Sequence, residues 1–597
     1  MSDEQKRHLF PFALIAVIAL PLFLGPLLRG EVFTLRDHFD YFQPLRWFTA
    51  VELQEGRIPL WNPYNAGGEP WLANPQTGVF YPPAWLFVVL PFAAAYVLFL
   101  YLHVVLLGWG AYLLFARGAS QGAALVGAVA LMFCGPALSL LDVSNNLATL
   151  AWIPLALWCA AEGAWRRGGA ALALAFLAGE PFFAAVGALL YAGRAAARLD
   201  RLKPVLRLGD RLKPVVRSAL VAFGLSAVQL FPFLEMLRNS DRAAGLDRGL
   251  ILMHSMSWSD WLRFVIPIER GATQQFIPAV YTGVVVCALA LLGIRRRTWP
   301  WLLLFVVSAV ISFGPEWLVR LPLTLFRYPA RLVPLAAFAV AALAVAGWER
   351  VRPNRRWVDL VLVLLVVVDL APRAWPLLVS APFRRDVVPY GPVVGEDSKF
   401  LRAGTVDAHH RTAWIAGYLN LYDRRFDAST AAPVASDAWL RVHRGLLENP
   451  TREELARKGI GWVVSTHDLR SAFMHVTAAE GVSVYRNHTT LPHAFLITRS
   501  PLDVRPVRAA FDTSHVRVSV EAPREGVIAV LQQRAPGWEV SIDGVPAREF
   551  PIDTFFRGVQ VTRGYHEIVW KYRPRSLYFG AAVTAITLLF CFVKRAR

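Results

Sequence analysis

Apolar runs of bilayer length, roughly 20 residues, recur along the first 380 positions of the chain. Leu9–Leu28 is the first. Ala84–Phe115 is too long for one helix, and Pro91 divides it into a short interfacial helix and a span from Ala93. Gln121–Leu141, Ala148–Trp165, Ser218–Leu237, Ala279–Ile294, Trp299–Phe313, Leu332–Trp348 and Trp357–Leu378 follow. Gly168–Gly193 has basic flanks on both sides and Gly179-Glu180-Pro181 in its middle. A hairpin of two short helices meeting at that tripeptide keeps both flanks on one side, which one straight span cannot. With Ser576–Val593 at the end, the pattern predicts a polytopic α-helical membrane protein of about 12 transmembrane helices.

The pattern changes between 381 and 575. Polar and apolar positions mix, and Val516–Val520, Val527–Leu531, Trp538–Ile542, Gly558–Val561 and His566–Tyr572 read as short strands. Asp543-Gly544 is a turn between two of them. The expected organisation is a transmembrane domain over 1–380 with a first outer loop at 29–83, then an extracytoplasmic α/β domain over 381–575, β-rich in its second half. A final helix and basic tail occupy 576–597.

Composition agrees with a membrane chain: 55% of the 597 residues are hydrophobic and 18% charged, with mean hydropathy +0.41. Net charge is +19, but Lys and Arg cluster in short stretches between apolar runs. That is the positive-inside pattern, so the charge reports topology and argues against a nucleic-acid partner. It places both termini in the cytoplasm, the first helix as a retained anchor in the plasma membrane, and the large domain outside. The stretch Arg194–Arg217, with eight Lys/Arg and a repeat of DRLKPV, becomes a cytoplasmic loop beside lipid headgroups. The four cysteines lie in apolar runs without metal-ligand spacing. There is no P-loop and no HExxH.

The candidate chemistry lies in the outer loops. Asp37 and Asp40, three apart, share a face if helical. Such a pair can act as general base on a hydroxyl, hold a divalent cation such as Mg2+ or Mn2+ against a phosphate, or merely cap a helix. Arg327 and Arg331 lie where the charge bias disfavours them, and guanidinium groups suit a donor phosphate. Trp61, Asn62, Tyr64, Asn74 and Gln76 set aromatic faces beside amides, a surface fit for a sugar or for an aromatic belt at the interface. His103 inside a span and Glu180 at the hairpin tip are candidates for a polar cavity. Asp142-Val-Ser-Asn-Asn146 reads as a tight outer turn.

These residues carry a resemblance. Asp37, Tyr41-Phe-Gln-Pro44, Gly56-Arg-Ile-Pro-Leu-Trp-Asn-Pro-Tyr64, Asn74-Pro-Gln76, Phe326-Arg-Tyr-Pro-Ala-Arg331 and Ala535-Pro-Gly-Trp538 resemble the YfhO-like family of bacterial membrane proteins. That family is similar to the GT-C superfamily of glycosyltransferases. The resemblance implies a GT-C-like fold and inverting transfer of a sugar from a polyprenyl-phosphate donor. The acceptor would be an envelope glycan, lipid or protein at the outer membrane face. Asp37 maps to the family's catalytic position, while Asp40 and Glu180 depart from its pattern. The competing expectation is a transporter or glycan-binding scaffold, with Asp359 and Asp369 as its intramembrane carboxylates.

Overall fold

The computed structural model describes residues 3–202, 208–268, 276–321, 327–353, 355–384, 399–403, 418–429, 436–448, 451–465, 467–479, 482–498, 503–553 and 556–593. Residues 203–207 of the basic repeat, 269–275 and 322–326 of the second and third loops, and the basic tail at 594–597 lie outside them.

The apolar runs become helices. Phe92–Phe115, Leu212–Arg238 and Pro329–Val351 are each long and apolar enough to cross a membrane. The first run differs from expectation: Pro21 splits it into Asp3–Ala19 and Pro21–Arg29, and its apolar part bends by 59°. Proline removes a donor and clashes with the preceding turn, so the axis breaks there. Gln121–Phe133, Trp299–Ser312 and Arg575–Cys591 are shorter apolar helices. Ala279–Ile294 is helical only over Val284–Leu292. The basic stretch expected as a loop is largely helical, because Pro181–Leu202 and Leu208–Arg238 extend into it. Several helices turn apolar side chains outward, among them Leu303, Val306 and Val310, Leu360, Leu364 and Val368, and Phe579, Ile586 and Leu589. Apolar stripes of this kind need lipid rather than water around them.

The predicted hairpin is present. Trp165–Leu177 and Pro181–Leu202 meet at Gly179, whose φ is +107°. A Cβ there would stand 2.9 Å from the Pro75 carbonyl oxygen, so the first loop packs directly on the tip.

The polar domain is β-rich, as expected. Two five-stranded sheets face each other and a separate four-stranded sheet precedes them. The strands His515–Ala522, Gly526–Gln533, Trp538–Ile542, Phe556–Val561 and Gly564–Tyr572 contain the five predicted from sequence. Inward-facing Val516, Val518, Ile528, Val530, Val559, Ile568 and Trp570 form the core between the sheets. Strand Glu31–Phe33 pairs antiparallel with Ser380–Pro382. This pairing ties the entrance of the first loop to the exit of the helical region.

Candidate functional site

Residues 37–42 follow a sharp change of direction. Thr34 donates its N–H to the Val379 carbonyl at 2.9 Å. Arg36 takes φ +52°, a costly conformation for a side-chain-bearing residue. A widened π-type turn, His38–Phe42, then leads into the helix Gln43–Gln54. Turns of this kind recur at functional sites because they re-aim side chains. Here Asp37 and Asp40, both half-buried, line one cavity of about 320 Å³.

Much of that cavity's lining comes from far along the chain. Arg327, Tyr328 and Arg331 line it, together with His254 and Phe276, while Gln76, Asn146 and Arg36 complete it. Arg331 is buried, bonds Glu180 at 3.1 Å, and lies over the rings of Phe276 and Tyr328. Arg327 lies over the Tyr328 ring at 4.6 Å. Tyr328 has φ +63°, and Pro329 then fixes the start of the helical turn that carries Arg331. The two carboxylates and two arginines expected from sequence therefore share one cavity.

Burial raises the pKa of Asp37 above the usual carboxylate range, opposed by the Arg36 and Arg327 charges. Asp40 is pushed up to about 7, first by burial and then by the negative charge of Asp37. Asp142 corrects an expectation. The turn is shorter than expected, and Asp142 within it is buried, 3.2 Å from Arg36, with its pKa raised to about 7 by burial against the Arg36 charge. Ser144, Asn145 and Asn146 are buried with it, and the following helix already begins at Ser144. Sequence reasoning also missed Arg36, His254 and Tyr328. All three have positive φ, which no composition or spacing reveals.

A smaller chamber of about 40 Å³ adjoins the cavity. Glu180, Gly179 and Arg242 line it, and it shares Gln76, Arg327 and Arg331 with the larger one. Glu180 therefore belongs to the cavity system, as expected. Burial, then the Arg327 charge, lowers Arg242 to about 10.

Other candidates sit elsewhere. His103 is a packing residue: its Nδ1 donates to the Phe99 carbonyl at 2.6 Å, so Nε2 accepts from the Tyr81 hydroxyl at 2.6 Å. It lines none of the cavities described. Asn62 is buried and donates to Asn65 and Glu69, and Tyr64 packs on Phe48 and Phe426. Neither reaches the cavities, because the loop folds them against the polar domain. Trp61 is fully buried against Trp538 and Tyr572. Gln76 lines the carboxylate cavity and accepts the Tyr41 hydroxyl at 2.5 Å. Asn74 lines the small chamber and caps the turn Pro75–Thr77. Asp359 accepts from Arg352 and Trp348, and Asp369 from Tyr281. Asp37 and Asp40 provide two carboxylates for a cation, and no group of three ligating side chains occurs among the described residues. Two carboxylates would hold Mg2+ only with substrate phosphate and water completing its shell, and no step below runs through a metal.

The chain is similar to a cryo-EM structure of the arabinofuranosyltransferase AftD from Mycobacteria, with TM-score 0.49 and 12% identity over 94% of this chain and 60% of that one. It is also similar to the oligosaccharyltransferase AglB from Archaeoglobus fulgidus in complex with an inhibitory peptide and a dolichol-phosphate, with TM-score 0.39 and 12% identity over 82% and 75% of the two chains. A third structure, the Archaeoglobus fulgidus oligosaccharyltransferase complex with Zn and sulfate, gives TM-score 0.40 and 12% identity over 76% and 67%. The chain thus spans 60% of the length of the mycobacterial protein. No protein-family model and no curated protein matches it. Likenesses of this size transfer no residue roles to this chain.

Proposed function

We propose that the protein is an inverting membrane glycosyltransferase that uses a polyprenyl-phosphate-linked sugar at the outer face of the membrane. The observation that carries this is the cavity that Asp37 and Asp40 line together with Arg327 and Arg331. A carboxylate sharing a cavity with guanidinium groups suits a reaction that takes up a proton and releases a phosphate.

Asp37 accepts the proton of an acceptor hydroxyl. The oxygen attacks the anomeric carbon from the face opposite the phosphate and forms the new C–O bond. The anomeric carbon–phosphate oxygen bond breaks, and its electron pair leaves on the polyprenyl phosphate. Arg331 is already committed to Glu180, so Arg327 carries most of the new charge and Arg331 supports the field behind it. Asp37 rather than Asp40 is assigned as the base because its charged neighbours Arg36 and Arg327 favour the carboxylate, whereas the charge of Asp37 disfavours that of Asp40. The acceptor is a hydroxyl-bearing envelope glycan, lipid or protein.

The test is transfer from radiolabelled polyprenyl-phosphate sugars in membranes containing the full chain. Asp37→Asn should reduce the rate by about 10²–10⁴-fold while the protein still expresses and folds, and Asp40→Asn should lose less than about tenfold. Near-wild-type transfer by Asp37→Asn removes Asp37 from the role of base.

A further inference from the structure

The helix Gln43–Gln54 also buries a cation away from the carboxylate cavity. Arg46 is 2% exposed, and its guanidinium lies 5.3 Å from the centre of the Phe99 ring. The chain wraps over it at Gly78, which takes φ +68° and where a Cβ would collide with Arg46 Nη1. Only glycine leaves room for the guanidinium there. Nη1 donates to the Thr77 carbonyl at 2.9 Å. Nε and Nη2 are buried and, among the described residues, have no hydrogen-bond partner.

Arg46 also lacks a counter-charge. The acid of its own helix, Glu52, is taken by Arg57 and Arg424. Burial lowers the pKa of Arg46 to about 10, and the groups that oppose this are Tyr96, Tyr81 and Tyr41 rather than any carboxylate. Those phenols are neutral at pH 7, so the guanidinium keeps its charge with no anion beside it. A buried charge in that state is costly until an opposite charge joins it.

A cavity of about 10 Å³ adjoins the guanidinium, lined by Arg46, Thr49, Gly78, Ala84, Trp85 and Val88 among others, none of them acidic. Thr49 accepts the indole N–H of Trp71 at 3.0 Å, which leaves its own hydroxyl hydrogen without an acceptor among the described residues. The walls thus offer N–H and O–H donors set in apolar surface. A water molecule would meet the donors but not the charge. The volume admits one monatomic ion and is too small for a phosphate or a carboxylate. We infer that this cavity is a halide site, in which one chloride ion lies against the Arg46 guanidinium and takes the Thr49 hydroxyl as a further donor. The site does not rest on the transferase reading. Its consequence is structural: Arg46 holds the carbonyl of Thr77, at the end of the turn Pro75–Thr77, and Gln76 of that turn lines the carboxylate cavity.

The test exchanges chloride for gluconate, an anion too large for the cavity, at constant ionic strength with the detergent-solubilised full chain. Chloride or bromide should raise the melting temperature by about 1 °C or more. The chloride NMR line should show a saturable broadening that bromide removes. Position 49 gives two variants of nearly equal volume, one turn from Arg46 on the same helix face. Thr49→Asp keeps an acceptor for Trp71 and adds a fixed negative charge. It should lose both chloride effects and melt in gluconate no lower than the wild type does in gluconate. Thr49→Asn keeps the acceptor without the charge and should still respond to chloride. Arg46→Gln should lose the saturable broadening, and this decides the matter if Thr49→Asp does not fold. A wild type that ignores chloride in both measurements holds only water in the cavity and overturns the site. Thr49→Asp responding as the wild type does, or Arg46→Gln retaining the full broadening, overturns it too, since the effect then belongs to other basic groups.

Discussion

At the scale of single residues, Asp40 reports its environment through pH. Its pKa of about 7 exceeds the ordinary carboxylate value, chiefly because burial penalises the charge. The folded protein therefore holds this proton more tightly than the unfolded chain does. That contribution to stability is complete below about pH 4, declines as pH rises, and is gone above about pH 7. Asp40→Asn cannot ionise and avoids the loss. Thermal melts should show the variant a few degrees more stable than wild type at about pH 8 and equal to it at about pH 4. An identical difference at both pH values would mean that Asp40 titrates as an ordinary exposed carboxylate. The charges of Arg36 and Arg327 oppose the rise at Asp37, whereas the charge of Asp37 adds to it at Asp40, and this contrast separates two acids that look equivalent in the sequence.

At the scale of elements, the hairpin tip and the Pro329–Val351 helix meet through Glu180 and Arg331, 151 positions apart. Both are buried, so each charge depends on the other. Glu180→Gln should lower stability by about 3–5 kcal/mol by leaving Arg331 buried without a counter-charge, and Glu180→Leu combined with Arg331→Met should recover most of it. Chemical denaturation of the two variants reads the difference. The helices themselves were legible in the sequence because long apolar runs, Pro91 and Gly179-Glu180-Pro181 are local signals. The five strands were legible for the same reason. Local signals do not reveal which side chains meet. The pairing of Glu180 with Arg331 and of Arg36 with Asp142 depends on packing between distant segments. So does the burial of Trp61 and Asn62, which composition alone presents as an exposed sugar-binding surface. The bend at Pro21 had a visible cause, yet its consequence, two helices in place of one, depends on how they pack.

At the scale of the whole molecule, the first loop joins the helical region to the polar domain. Glu52, buried at the end of the Gln43–Gln54 helix, binds Arg57 at 2.7 Å and Arg424 of the polar domain at 2.8 Å, and accepts the Thr513 hydroxyl at 3.3 Å. Tyr418 donates its backbone N–H to the Asp40 carbonyl at 2.6 Å, so the polar domain reaches the turn that carries the carboxylates. Gln533 donates its backbone N–H to the Gly67 carbonyl at 2.6 Å. Trp61 lies at the centre of this interface, with Trp538 and Tyr572 within 5.4 Å and 5.0 Å of its ring. An interface built from buried charges, backbone bonds and interlocked aromatic rings should make the two regions unfold together rather than hinge independently. Wild-type protein in detergent should therefore show one transition, whether followed by near-UV circular dichroism or by protease cleavage within the polar domain. Trp61→Ala removes the central ring at a cost of about 3–5 kcal/mol and should split that transition, so that the β-sheets become protease-sensitive at a temperature where the helices remain folded. The same variant should lose transfer along with the coupling, since the turn bearing Asp37 and Asp40 is held from the polar-domain side. Two separate transitions already in the wild type, or an unsplit one in Trp61→Ala, would show that the domains do not depend on this seam.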